Sequence, residues 1–67
     1  MTISLNNQIV EVEMHTMLSN LVSQQLGEKQ NGVAVAVNGQ VVPRTSWSEV
    51  TVNENDEILI IKATQGG

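Results

Sequence analysis

Polar and apolar residues alternate from the start of the chain, through Thr2-Ile3-Ser4-Leu5 and again from Gln8 to Glu13, with Asn6-Asn7 between the two runs. Alternation places every second side chain on one face of a strand. Asparagine tolerates the positive φ that a two-residue hairpin turn demands. The pattern therefore predicts an antiparallel hairpin with Val10, Val12 and Met14 on one face and Glu11 and Glu13 on the solvent side. The period then lengthens. Leu18, Leu21, Val22 and Leu26 fall at i, i+3, i+4 and i+8, while Ser19, Asn20, Ser23 and Gln24 occupy the opposite side. That stripe predicts a helix of about three turns, with Thr16 placed to cap its start and Gly27 to take a left-handed C′ position.

After a polar loop from Glu28 to Gly32, Val33-Ala34-Val35-Ala36-Val37 is apolar at both parities. This predicts a strand buried on both faces or lying against a partner. Asn38-Gly39 is the strongest hairpin signal in the chain, and it leads back through Gln40-Val41-Val42 to Pro43, which has no N–H to offer a ladder. Arg44 to Val50 is read as a connecting segment, with Trp47 plugging the edge of the core. Thr51-Val52 is a short extended piece and Asn53 to Asp56 a turn. Glu57 to Ile61 is a final strand whose run Ile58-Leu59-Ile60-Ile61 predicts burial on both faces at the centre of the sheet. A hairpin, a helical crossover, a second hairpin and a late central strand make an α+β fold in ββαββ order. The helix lies across a mixed sheet, and the first and last strands are parallel neighbours: the β-grasp arrangement. The domain spans 1–61, and 62–67 form a flexible tail.

Composition narrows the chemistry. With 67 residues the chain is one domain near the lower limit for folding without staples. It has no cysteine, so any sulfur or acyl chemistry must use the C-terminus or a partner. A formal charge of −4 argues against binding a nucleic-acid backbone and suits a basic partner surface, although it also serves plain solubility. No apolar run approaches the ~20 residues of a membrane span, and no signal pattern opens the chain, so a cytoplasmic protein is expected. Met14 and Met17 are read as gap-filling core and the single His15 as structural or exposed. Arg44 is left to pair with an acidic neighbour or with a partner. With no nucleophile–base pair, metal cluster or phosphate loop, an independent enzyme is the least favoured class.

The candidate chemistry lies in the tail Lys62-Ala63-Thr64-Gln65-Gly66-Gly67. Six loosely anchored residues reach roughly 20 Å when extended at ~3.3 Å per residue. Glycines without Cβ atoms can thread a narrow channel and present a sterically naked α-carboxylate at Gly67. Gly66 gives access, and Lys62 to Gln65 supply reach and docking.

The block Val37-Asn38-Gly39-Gln40-Val41-Val42-Pro43-Arg44 followed by Trp47 resembles the ThiS family of bacterial sulfur carriers of thiamine thiazole biosynthesis, ubiquitin-like β-grasp proteins. The likeness spans the full length. The small size, the Thr16-to-Leu26 helix, the run Asp56-Glu57-Ile58 and the closing Gly66-Gly67 all contribute. Thr64-Gln65 departs from the more apolar residues often found before the diglycine. The resemblance implies a cosubstrate rather than an enzyme. A ThiF-like adenylating partner would use ATP and Mg²⁺ to activate the Gly67 carboxylate, a cysteine desulfurase route would supply sulfur, and a ThiG-like thiazole synthase would take it from the Gly67 thiocarboxylate. No cofactor is expected on this chain itself, and a monomer forming transient complexes is the default. The alternatives are a molybdopterin-synthase-type (MoaD-like) sulfur carrier, a ubiquitin-like modifier, and a β-grasp interaction module that would not need its glycines.

Overall fold

The computed structural model describes residues 1–27 and 32–62. Five strands form one sheet: β1 (Thr2–Leu5), β2 (Gln8–Glu11), β3 (Val33–Val37), β4 (Gln40–Val42) and β5 (Glu57–Lys62). Their order across the sheet is β2-β1-β5-β3-β4. The last strand is central, as its aliphatic run predicts, running parallel to β1 and antiparallel to β3. Both hairpin turns have the positive φ values of a primed turn, at Asn6 (50°) and Asn7 (67°) and at Asn38 (52°) and Gly39 (85°).

One helix, α1 (Leu18–Leu26), crosses one face of the sheet. Its stripe of Leu18, Leu21 and Val22 packs on Ile3, Leu5, Val35 and Ile58, with Val52 and Trp47 completing the buried cluster. Each fully buried aliphatic side chain of this kind contributes about 1.5–3 kcal/mol. Trp47 sits in a 3₁₀ helix, Arg44–Glu49, where a plain connecting segment was expected. Its indole Nε1–H donates to the Val42 carbonyl at 2.9 Å, and the Arg44 guanidinium lies 5.9 Å from the ring centroid. Trp47 therefore plugs the core edge with its polar atom satisfied, and Arg44 covers the outer side of the ring.

Local expectations fail where tertiary contacts replace them. The helix begins two residues later than Thr16, with Met17 at the cap position and no side-chain cap. Thr16 instead turns its hydroxyl back to the Glu13 carbonyl. The helix start is satisfied by the segment after the 3₁₀ helix: Leu18 N–H donates to the Val50 carbonyl, Val52 N–H donates to the Thr16 carbonyl, and Met17 bridges Thr51. The Val50 carbonyl thus takes the Leu18 N–H, one of the donors that a Thr16 hydroxyl could have capped. At the other end Gly27 has φ 61° but ψ −124°, so it leaves the helix in an extended, glycine-only conformation instead of the left-handed one. The β2 strand ends at Glu11, and its pairing runs one residue further, Val12 exchanging two backbone hydrogen bonds with Met1, short of Glu13. Met14 is 67% exposed in the turn with His15, so it is not core, whereas Met17 is half-buried.

The expectation of burial on both faces is also wrong for β3 and β5. Ala34 is exposed, Leu59 only half-buried, and Ile61 is 55% exposed. Central position in a sheet satisfies a strand's backbone at both edges, but a single helix covers only one face of its side chains.

Candidate functional site

The candidate site is the end of β5 and the surfaces beside it. Lys62, read from sequence as the first tail residue, is the last residue of β5 and pairs with Val33. The remaining residues assigned to the tail, Ala63, Thr64, Gln65, Gly66 and Gly67, lie outside the described residues. The chain therefore passes to residue 63 from a strand hydrogen-bonded within the middle of the sheet. Lys62 also lines a shallow groove with Leu5, Asn6, Gln25, Leu26 and Ile60, between the end of β1 and the last turn of α1.

Register defines what flanks this exit. Ala34 pairs with Ile61 and Ala36 with both Leu59 and Val41, while Ser4 pairs with Ile9 and Glu57. Directly paired residues share a face, so all of these point away from the helix. Among the described residues Ile9, Val41 and Ile61 are the exposed large apolar side chains of this open face, at 74%, 73% and 55%, and Leu59 is half-buried on it. Glu11, opposite Thr2, and Glu57 add negative charge to the same face. Ile61, Leu59 and Val41 lie near one another on β5 and β4, whereas Ile9 sits on the far edge strand, beyond Ser4 and Glu57.

Two asparagines and an aspartate set the geometry of β5. Asn38 N–H donates to the Glu57 carbonyl at 2.7 Å, and Glu57 N–H donates to Asn38 Oδ1 at 2.9 Å. Asn38 Nδ2 also donates to Asp56 Oδ1 at 3.0 Å, and Asp56 Oδ2 accepts from Asn53 N–H at 2.8 Å. Asp56 is 9% exposed, with its carboxylate fully engaged in this way. On the other side of β5, Asn6 N–H donates to the Ile58 carbonyl at 2.9 Å, and Ile60 N–H donates to Asn6 Oδ1 at 2.8 Å. Sequence reasoning saw these asparagines only as turn formers. Their side-chain role has no local signature, since the partners lie 54 residues from Asn6 and 19 from Asn38.

A five-stranded mixed sheet closed around one helix, with its first and last strands parallel at the centre, places the chain among the β-grasp proteins. The fold is shared with the crystal structure of the thiamine biosynthesis protein ThiS from Geobacter metallireducens, at a TM-score of 0.86 and 23% identity over the whole of both chains. The solution structure of a thiamine biosynthesis protein from the same organism matches at a TM-score of 0.79 and 23% identity, covering all of this chain and 88% of that one. In sequence, the chain is 34% identical to the sulfur carrier protein ThiS of Escherichia coli (strain K12) over 67 residues, the full length of both. The sequence profile of the ThiS family matches residues 2–67. The chain belongs to the ThiS family.

Proposed function

We propose that this chain is a sulfur carrier of thiamine biosynthesis whose working group is the Gly67 carboxylate. The observation that carries the reading is the family match, which runs through residue 67 and so includes the diglycine. It favours thiazole formation over the molybdopterin-type alternative. A free carboxylate is a poor electrophile with a poor leaving group. A ThiF-like partner using ATP and Mg²⁺ would join it to AMP and release pyrophosphate. A persulfide sulfur, supplied through a cysteine desulfurase, would attack the acyl carbon and expel AMP. Cleavage of the resulting S–S bond by a partner thiol would leave the thiocarboxylate. A ThiG-like synthase would take up that sulfur and return the carboxylate. The carrier is then a cosubstrate: ATP, Mg²⁺ and cysteines belong to the partners, and Gly66 and Ala63 to Gln65 provide access and reach.

The open sheet face supplies the docking surface in this reading. It lies beside the strand that leads to the tail, so a partner seated on Ile61 and Val41 is within reach of Gly67. Ile61→Asp should therefore raise the KM for the carrier in adenylation by about tenfold, the scale of losing one good apolar contact. Its stability should change by about 0.5 kcal/mol at most, because Ile61 is outside the buried cluster. An unchanged KM would move the docking surface elsewhere.

The reading is tested by intact mass before and after incubation with the adenylating partner, ATP and a sulfur donor. Exchange of oxygen for sulfur adds nearly the same mass as methionine oxidation, and Met1, Met14 and Met17 can each oxidise. The shift must therefore map to the fragment ending at Gly67 and gain the mass of one alkyl group on thiol-directed alkylation, which a methionine sulfoxide does not. A terminus unchanged by a competent partner and donor would overturn the carrier reading in favour of an interaction module.

A further inference from the structure

We propose that Asn6 is a positioning residue for the acyl-transfer chemistry at the tail, an inference that rests on the carrier reading. The parallel ladder between β1 and β5 is short, with Ser4 opposite Glu57 and Leu5 opposite Ile58. Continued by one residue, the register sets Asn6 opposite Leu59. In a parallel pair such a residue donates its N–H to the carbonyl before its opposite number and accepts at its own C=O from the N–H after it. Asn6 makes the first bond normally, to Ile58. Its backbone then turns away at φ 50°, and its side-chain Oδ1 accepts from Ile60 N–H in place of its carbonyl.

The substitution allows two things at once. The chain reverses into the β1–β2 hairpin, while β5 receives one further rung on that side. That rung is the last one described on the β1 side of β5, two residues before Lys62. From there to Lys62 the paired neighbour is β3 alone, through Ala34 opposite Ile61 and Val33 opposite Lys62. Without the Asn6 bond, the last residues of β5 would be held from one side and could swing about the β3 ladder. The direction in which Lys62 leads into the tail would then spread. Asn38 performs the same replacement of a carbonyl by Oδ1, but at Glu57, the start of β5. It stabilises the fold without bearing on the exit. The two asparagines make the same Oδ1 replacement at opposite ends of β5, and Asn38 adds an Nδ2 bond to Asp56. Asn38 therefore serves as a control that loses at least as many bonds away from the exit.

Three variants of the full chain separate these roles. Asn6→Gly keeps the positive φ and removes the acceptor. Asn6→Asp keeps both, since aspartate also tolerates that region. Asn38→Gly removes the corresponding bonds at the far end. With the carrier as varied substrate and pyrophosphate release as readout, Asn6→Gly should lower kcat for adenylation about tenfold while KM stays within about twofold, the pattern of a contribution made beyond ground-state docking. Asn6→Asp should restore kcat to within about twofold. Asn38→Gly should lower the urea midpoint at least as far as Asn6→Gly while leaving kcat at the wild-type value. The Ile60 amide should exchange faster with solvent in Asn6→Gly alone. A wild-type kcat in Asn6→Gly, or an equal fall in Asn38→Gly, would overturn the positioning role and leave Asn6 a structural residue. Failure of the wild-type chain to be adenylated is a separate result: it overturns the carrier reading, and the positioning role with it.

Discussion

Removal of Gly67 should reduce sulfur loading by about 100-fold or more while leaving the fold intact. The truncated chain still ends in a glycine carboxylate, but that carboxylate is set back by ~3.3 Å. Reacting atoms misplaced by ~1 Å can already cost about 100-fold. Gly67→Ala keeps the reach and adds one methyl at the tip of the arm, so it should load at an intermediate rate. Neither change should move the urea midpoint, because the buried cluster among the described residues ends at Ile58. Loading is read from the mass of the C-terminal fragment after alkylation. A truncated chain that loads at the wild-type rate would remove Gly67 from the chemistry.

Ile58→Ala should have the opposite profile, a large loss of stability with no direct effect on the tail. Ile58 is fully buried, paired with Leu5 on one side and Val37 on the other, and it faces the helix stripe. Truncating such a residue costs about 2–5 kcal/mol, counting both the lost transfer energy and the cavity left behind. A core of this size supplies only about 3–5 kcal/mol net. The variant should therefore be largely unfolded at 37 °C or melt without a cooperative transition, as followed by circular dichroism and urea titration. Ile61→Asp, three residues further along the same strand, should change stability by about 0.5 kcal/mol at most. The contrast between the two isoleucines measures which face of β5 belongs to the core and which is open. A mild effect at Ile58 would mean that the central strand is not the keystone of the sheet.

Much of this protein is written in patterns that act over a few residues. Alternation set β1 and β2, the 3.6-residue stripe set α1, and Asn6-Asn7 and Asn38-Gly39 set the two turns, because strand faces, helix faces and positive φ are local properties. The aliphatic run of β5 pointed to the centre of the sheet, where the strand lies, although the burial on both faces from which that was argued is absent. Family membership was legible in the block from Val37 to Trp47. Other features were decided only when distant segments met. Thr16 makes no cap because its hydroxyl bonds the Glu13 carbonyl while the Val50 carbonyl takes the Leu18 N–H. Composition could not separate the buried from the open face in β3 and β5, since an aliphatic side chain reads the same whether a helix or solvent covers it, and α1 covers only one face. The second role of Asn6 was likewise invisible along the chain. A side-chain oxygen takes over a ladder bond only when folding brings Ile60 beside a turn 54 residues away.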